Sequence, residues 1–147
     1  MKKMERGEGM FGQYKHGLDP KGRLVVPSKL REELGDTFYI AKAPDACLKL
    51  YPEAQWQKLL DRCNEMPSSK LRALRVFFAN VIKCEPDKQF RFLLPESFRQ
   101  YAGVDQEVIF LGQAGVAEIW AAERYEAEEA KYLNPENLAA VMEELGV

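Results

Sequence analysis

Histidine is nearly missing from this chain, with His16 as its only representative. Cysteine is scarce as well: Cys47, Cys63 and Cys84 are odd in number and widely spaced. No Cys-x-x-Cys pair occurs, and nothing has the clustered spacing of a zinc site, so neither a metal nor another cofactor is expected. The scattered thiols also exclude a disulfide framework and read as buried, reduced side chains. No apolar run approaches the length needed to cross a bilayer. Residues 1–9 are polar and lack the apolar centre of a secretory leader, so a cytoplasmic protein is expected. A large charge of one sign is missing too. The net charge is −2 over 147 residues, which excludes simple polyelectrolyte binding to nucleic acid.

What is present is an ordinary globular balance, with 46% apolar and 30% charged residues. That length gives one compact domain or two small halves sharing a core. The charge is unevenly placed. Residues 1–35 hold eight Lys/Arg against five Asp/Glu, whereas residues 118–147 hold two against eight. A basic working face and an acidic, solvated tail follow from that asymmetry.

One stretch returns. Asp19-Pro20-Lys21-Gly22-Arg23-Leu24-Val25-Val26-Pro27 is matched by Asp87-Lys88-Gln89-Phe90-Arg91-Phe92-Leu93-Leu94-Pro95, at an offset of 68. The same offset carries Leu30 onto Phe98, Arg31 onto Arg99, Leu34 onto Ala102 and Gly35 onto Gly103. At an offset of 69, Leu50-Tyr51 and Trp56 fall on Ile119-Trp120 and Tyr125. Two copies of one supersecondary unit are the reading.

Each copy has the same plan. Residues 14–18 and 23–26 read as a hairpin-like pair of strands around Asp-Pro-Lys-Gly, where Asp bonds the backbone ahead, Pro presets φ and Gly closes the turn. A short helix follows over 28–34, with Ser28 as N-cap and Gly35 at the left-handed position after it. Residues 38–41 and 47–51 are strands around a turn at 43–46. Helices are predicted over 53–65 and 69–79. The second copy supplies strands at 81–85 and 91–94, a helix over 95–102, and strands at 108–111 and 117–120 joined through 112–115. Helices over 121–131 and 134–145 close the chain. Leu138, Val141, Met142 and Leu145 form an apolar stripe on the last of them. Four short strands cannot bury a core alone, so two units pairing their edges predict a small pseudo-twofold barrel. The unpatterned residues 1–9 are read as a flexible extension. Met10, which opens the patterned part, is read as the cellular start, because residues 5–9 imply purine-rich codons. Finding residues 2–9 intact in the native protein would refute this.

Two roles fit the repeated loop. An Asp at the head of a turn caps backbone N–H groups, and an Arg four positions on pairs with it. The same tip presents Lys21 and Arg23, and Lys88 and Arg91, to phosphates and base edges. Catalysis finds little footing. Asp19 and Asp87 are symmetry mates but have basic neighbours and lack a protease-type loop. Ser28, His16 and the cysteines have no spacing of nucleophile and base. Trp56, Phe77, Phe78 and Trp120 read as core or as subunit interface.

These residues closely resemble the MraZ family, whose halves are SpoVT/AbrB-type units. The carriers are Met10-Phe11, the stretch from Asp19 to Pro27, and the stretch from Asp87 to Pro95; the resemblance covers about 10–145. It implies an α+β, β-dominated fold: a double-repeat swapped-hairpin β-barrel with short helices and a helical C-terminal tail. The boundaries expected are 13–56 for the first unit, 57–80 for a helical connector, 81–124 for the second unit and 125–147 for the acidic tail. It further implies a non-enzymatic, nucleoid-associated regulator that forms ring-shaped homo-oligomers. Such a protein, read here as a repressor, binds short direct repeats in double-stranded DNA upstream of the division and cell-wall gene cluster, its own promoter included. The expected DNA contacts are Lys21, Arg23, Lys88, Arg91, Lys15 and His16, with Asp19, Gly22 and Asp87 shaping the loops. Phe90 departs from the family's usual Gly. Either that turn is shaped differently or Phe90 packs on a neighbour, and the second loop is expected to contribute less. The alternatives weighed are an antitoxin of the same fold and a structural ring without a DNA role.

Overall fold

The computed structural model describes residues 9–147. Apart from Gly9, the extension expected over 1–9 lies outside them. Met10 is fully buried and forms an antiparallel bridge to Ala114.

The first half runs β1 (Gln13–Gly17), β2 (Arg23–Val25), α1 (Arg31–Leu34), β3 (Phe38–Ala43), β4 (Cys47–Pro52), α2 (Glu53–Cys63) and α3 (Leu71–Ala79). The second runs β5 (Val81–Cys84), β6 (Arg91–Leu93), α4 (Glu96–Ala102), β7 (Glu107–Gln113), β8 (Val116–Ala121), α5 (Ala122–Tyr132) and α6 (Pro135–Leu145). Prolines start several of these helices. Pro27, Pro52 and Pro95 sit at cap positions with φ of −55°, −58° and −61°, values the pyrrolidine ring imposes. Pro27 thereby takes the cap expected of Ser28. Ser28 instead begins one turn of 3-10 helix, Ser28–Leu30, that runs into α1, and no side chain caps it. Leu30 and Leu34 are both buried, as their shared face predicts.

The hairpin expected between the first two strands does not form. β1 pairs antiparallel with β7, and β2 pairs with β6, so both partners come from the other repeat. β5 likewise pairs with β3. The result is a six-stranded antiparallel sheet, ordered β1-β7-β8-β4-β3-β5, and a two-stranded ribbon β2-β6. The exchange covers edges that each unit alone would leave open. The sheet's own ladder ends at β1 and β5, and the ribbon closes the structure by packing. Phe92 meets Phe38 and Phe110 edge-on, with ring centroids 5.5 and 6.4 Å apart. Leu24, Phe38, Leu50, Phe92, Phe110 and Ile119 share one buried cluster.

The register carries the symmetry. Leu24 faces Phe92 in the ribbon, and these are the residues related by the offset of 68. Lys49 faces Glu118 where β4 meets β8, and these are related by the offset of 69. Each facing pair therefore lies on the pseudo-twofold axis. The second offset also carries the ends of α2 onto those of α5.

Several turns differ from expectation. Gly35 has φ 74° but ψ −166°, an extended glycine conformation rather than the left-handed helical one, whereas Gly103, at φ 68° and ψ 28°, is left-handed. β7 and β8 reach further than predicted and leave only Ala114-Gly115 to turn, with Ala114 at φ 62°. The chain at 10–12 crosses here. A Cβ on Gly112 would come within 2.3 Å of the Phe11 backbone nitrogen, so only glycine fits. Cys47 and Cys84 are buried as expected, but Cys63 is only half-buried. Trp56 and Trp120 are buried, whereas Phe78 is 37% exposed.

Candidate nucleic-acid interface

The two Asp-x-x-x-Arg loops have one geometry. In the first, the Asp19 carbonyl accepts from Gly22 N–H at 3.0 Å, and the Asp19 N–H donates to the Arg23 carbonyl at 2.9 Å. Oδ1 of Asp19 accepts from the N–H groups of Lys21 and Arg23 at 2.9 and 2.8 Å, while Oδ2 accepts from Arg23 Nε at 2.7 Å. In the second, Oδ1 of Asp87 accepts from the N–H groups of Gln89 and Arg91 at 2.9 Å each, and Oδ2 from Arg91 Nε at 2.8 Å. The same donors hold both carboxyls below the ordinary carboxylate range, the backbone N–H of Arg23 or Arg91 being the largest cause.

Phe90 therefore sits in an unaltered turn. Its φ is 63° where Gly22 has 81°. The packing alternative is the one realised: the Arg31 guanidinium stacks 3.9 Å from the Phe90 ring centre. Arg99 holds the equivalent place over the first loop, where its guanidinium carbon is 3.4 Å from the site a Cβ on Gly22 would occupy. Both arginines anchor alike, Arg31 Nε donating to the Val26 carbonyl at 2.9 Å and Arg99 Nε to the Leu94 carbonyl at 3.0 Å. The clasp crosses repeats, so only the offset that paired Arg31 with Arg99 hinted at it in the sequence.

Strand alternation then sets what the ribbon shows. Leu24 and Phe92 face the core, while Arg23, Val25, Arg91 and Leu93 lie on the opposite face, Leu93 being 56% exposed. Arg23 faces Leu93 and Val25 faces Arg91. The two arginines are thus diagonal neighbours, about 7–8 Å apart by ordinary sheet geometry and somewhat less between their Cβ atoms. Among the described residues each guanidinium meets its aspartate through Nε. Lys21 and Lys88 are exposed at the two loop tips.

Lys15 and His16 lie on β1 in the six-stranded sheet, not on the ribbon itself. Lys15 pairs with Glu126 at 3.2 Å, the hydrogen bond that chiefly raises its pKa. His16 is half-buried, its ring edge-on to Phe110 at 5.6 Å. Burial, and secondly Arg31, lowers its pKa. Among the described residues no group of three or more His, Cys, Asp or Glu is placed to hold a metal ion. Burial pushes the Cys47 and Cys84 thiols up to about 12, which removes the thiolate a nucleophile needs.

Two exchanged copies of one unit, each lending a strand and an Asp–Arg loop to a shared outer ribbon, define a tandem-repeat β-dominated protein whose built feature is a surface. Comparison with known sequences agrees. The sequence model of the MraZ protein, described as antitoxin-like, matches this chain twice, over residues 10–76 and 77–145. The chain is 41% identical over 139 residues to a transcriptional regulator MraZ of Lachnoclostridium phytofermentans, covering 93% of this chain and 97% of that protein. It is 43% identical over 142 residues to one of Caldicellulosiruptor saccharolyticus, covering 94% and 99%. A third, of Halothermothrix orenii, is 38% identical over 144 residues, covering 93% and 99%. The chain belongs to the MraZ family. That family is one of transcriptional regulators rather than enzymes.

Proposed function

We propose that this protein is a sequence-specific DNA-binding repressor, acting in the cytoplasm at the nucleoid. It binds short direct repeats upstream of the division and cell-wall gene cluster, its own promoter included, as a ring-shaped homo-oligomer. The observation that carries the DNA reading is the pair of matching loops on one ribbon. The major groove of B-DNA admits a two-stranded ribbon, and an Arg fork suits the O6 and N7 acceptors of guanine. Asp19 and Asp87 fix Arg23 and Arg91 through Nε, so ordering those side chains costs less on binding. Lys21 and Lys88 add phosphate contacts that position without specifying. Lys15 and His16, on β1, belong to the flank of the interface.

Assembly supports the same reading. One subunit of net charge −2 has little long-range pull on DNA, whereas several linked ribbons gain avidity. α6 buries no residue, and Leu138, Val141, Met142 and Leu145 along it are 44–70% exposed. α3 also buries none and exposes Leu71 and Val76 beside Arg72 and Arg75. Residues 122–147 carry seven Glu against two Lys/Arg, while residues 53–80 carry five Lys/Arg against three Asp/Glu. An acidic helical surface meeting a basic one on the next copy is a head-to-tail contact, the kind that closes rings.

The test is fluorescence anisotropy with DNA from upstream of the protein's own gene, across a salt series, beside a scrambled duplex. Tighter binding to the upstream DNA that weakens with salt and needs Arg23 supports the assignment. Equal affinity for the scrambled duplex overturns it.

A further inference from the structure

The two loops share a backbone and differ at their tips. We infer that this difference gives the protein a direction on DNA: Gln89 and Phe90 read an A·T pair beside the base pair met by Arg91, and the first loop makes no such contact. The inference rests on the DNA-binding reading above.

The offset of 68 places Lys88 at Pro20, Gln89 at Lys21 and Phe90 at Gly22. Lys21 is a donor only, suited to phosphate or to guanine acceptors. Gln89 carries a donor and an acceptor side by side, which matches the N6 and N7 edge of adenine. Its backbone N–H binds Asp87, while its side chain is exposed and makes no hydrogen bond among the described residues. Phe90, 43% exposed, offers an apolar surface of the kind that meets a thymine methyl. Adenine edge and thymine methyl belong to the same base pair, so the two tip residues converge on one target.

The turn does not require a phenylalanine at this position. A left-handed backbone is costly for a bulky residue, and glycine serves the same turn in the first loop. Such an outlier points towards function. Nor is the ring adrift: the Arg31 guanidinium backs it at 3.9 Å, leaving part of it open to solvent. The ring is thus held in place before any ligand arrives.

The consequence is orientation. Two equal tips on a pseudo-twofold ribbon would read an inverted pair of half-sites and would bind either way round, because operator symmetry mirrors protein symmetry. Unequal tips select one way round. Subunits following one another head to tail along direct repeats need that selection.

The full-length protein, a Gln89→Lys/Phe90→Gly variant, a Phe90→Leu variant and Arg23→Ala are each used to enrich duplexes from a randomised library. The wild type should enrich a lopsided motif with a fixed A·T pair on one side. Replacing that thymidine by deoxyuridine, which deletes only the methyl group, should weaken wild-type binding at least about fivefold. Phe90→Leu should keep that sensitivity. The double variant should ignore both the A·T pair and the missing methyl, binding thymidine and deoxyuridine duplexes alike. The inference is overturned if the double variant still selects the same pair, or if deoxyuridine binds the wild type as well as thymidine. Should the wild type enrich nothing while circular dichroism shows it folded, the DNA reading itself fails and takes this inference with it. A working wild-type motif with weakened binding by Arg23→Ala upholds the DNA reading, so that the double variant and the deoxyuridine duplex alone decide the inference.

Discussion

The first loop and the second loop solve one structural problem with different tips. Both bend through an Asp that gathers two backbone N–H groups and one Arg Nε, at distances that agree within 0.1 Å. Glycine takes the positive-φ position in one and Phe90 in the other. Loop shape is therefore set by the Asp–Arg pair rather than by the tip residue, which leaves the tips free to diverge. The expectation that the second loop would contribute less rested on its Phe. With the turn unchanged, that reason lapses.

The largest effect should come from the axis pair that seats both loops. Leu24 and Phe92 face one another and close the core, but only Phe92 also meets two other rings. Phe92→Ala should cost about 3–5 kcal/mol and Leu24→Ala about 2–5 kcal/mol, with Phe92 the greater. Denaturant unfolding measures both. A Phe92→Ala cost under about 1 kcal/mol would mean that the ribbon does not close the core.

Next comes the loops' proposed work. Arg23→Ala and Arg91→Ala should each weaken operator binding by about 1–3 kcal/mol, about fivefold to 150-fold, and to a similar degree. Anisotropy on the upstream duplex reads this. A loss confined to Arg23 would restore the ranking first drawn from the sequence.

The loops were legible early because their chemistry is local. Asp, Pro and Gly within four residues declare a turn, and a strict offset declares that it recurs. Strand partners were not legible locally. The residues around Asp19 look the same whether the flanking strands pair with each other or with the other repeat. The exchange entered through the family resemblance, and the register of Leu24 with Phe92 shows it. The Arg31–Phe90 clasp was out of reach for the same reason, since its partners belong to different repeats. Ser28 misled because Pro27 already supplied the φ that a helix start needs. Gly35 was right about positive φ and wrong about ψ, which depends on the route into β3.

A smaller effect tests the tips' freedom. Gly22→Ala should destabilise by about 1–2 kcal/mol through its positive φ, since a Cβ there would meet Arg99 at an ordinary contact distance of 3.4 Å. Phe90→Gly should change stability by less than about 1 kcal/mol, because relief of strain offsets the lost contact with Arg31. Thermal unfolding of both variants separates them. Equal destabilisation would mean that Phe90 serves packing alone.

The smallest contrast is one of pH. The offset of 68 pairs His16 with Cys84, and the protein keeps both uncharged at neutrality: burial lowers the pKa of the one and raises that of the other to about 12. His16 binds a proton more readily in the unfolded chain, where its pKa is about 6.5, than in the folded one. Its stabilising contribution is therefore complete above that value and declines as pH falls towards the lowered folded value. Cys84 makes no such contribution in this range, since its thiol stays protonated throughout. His16→Cys, which copies the second repeat into the first, should flatten stability between about pH 7 and pH 5. The change of slope relative to wild type isolates His16, because Asp19 and Asp87 titrate lower and remain in both proteins. An unchanged slope would place the His16 ring in water, free of Phe110.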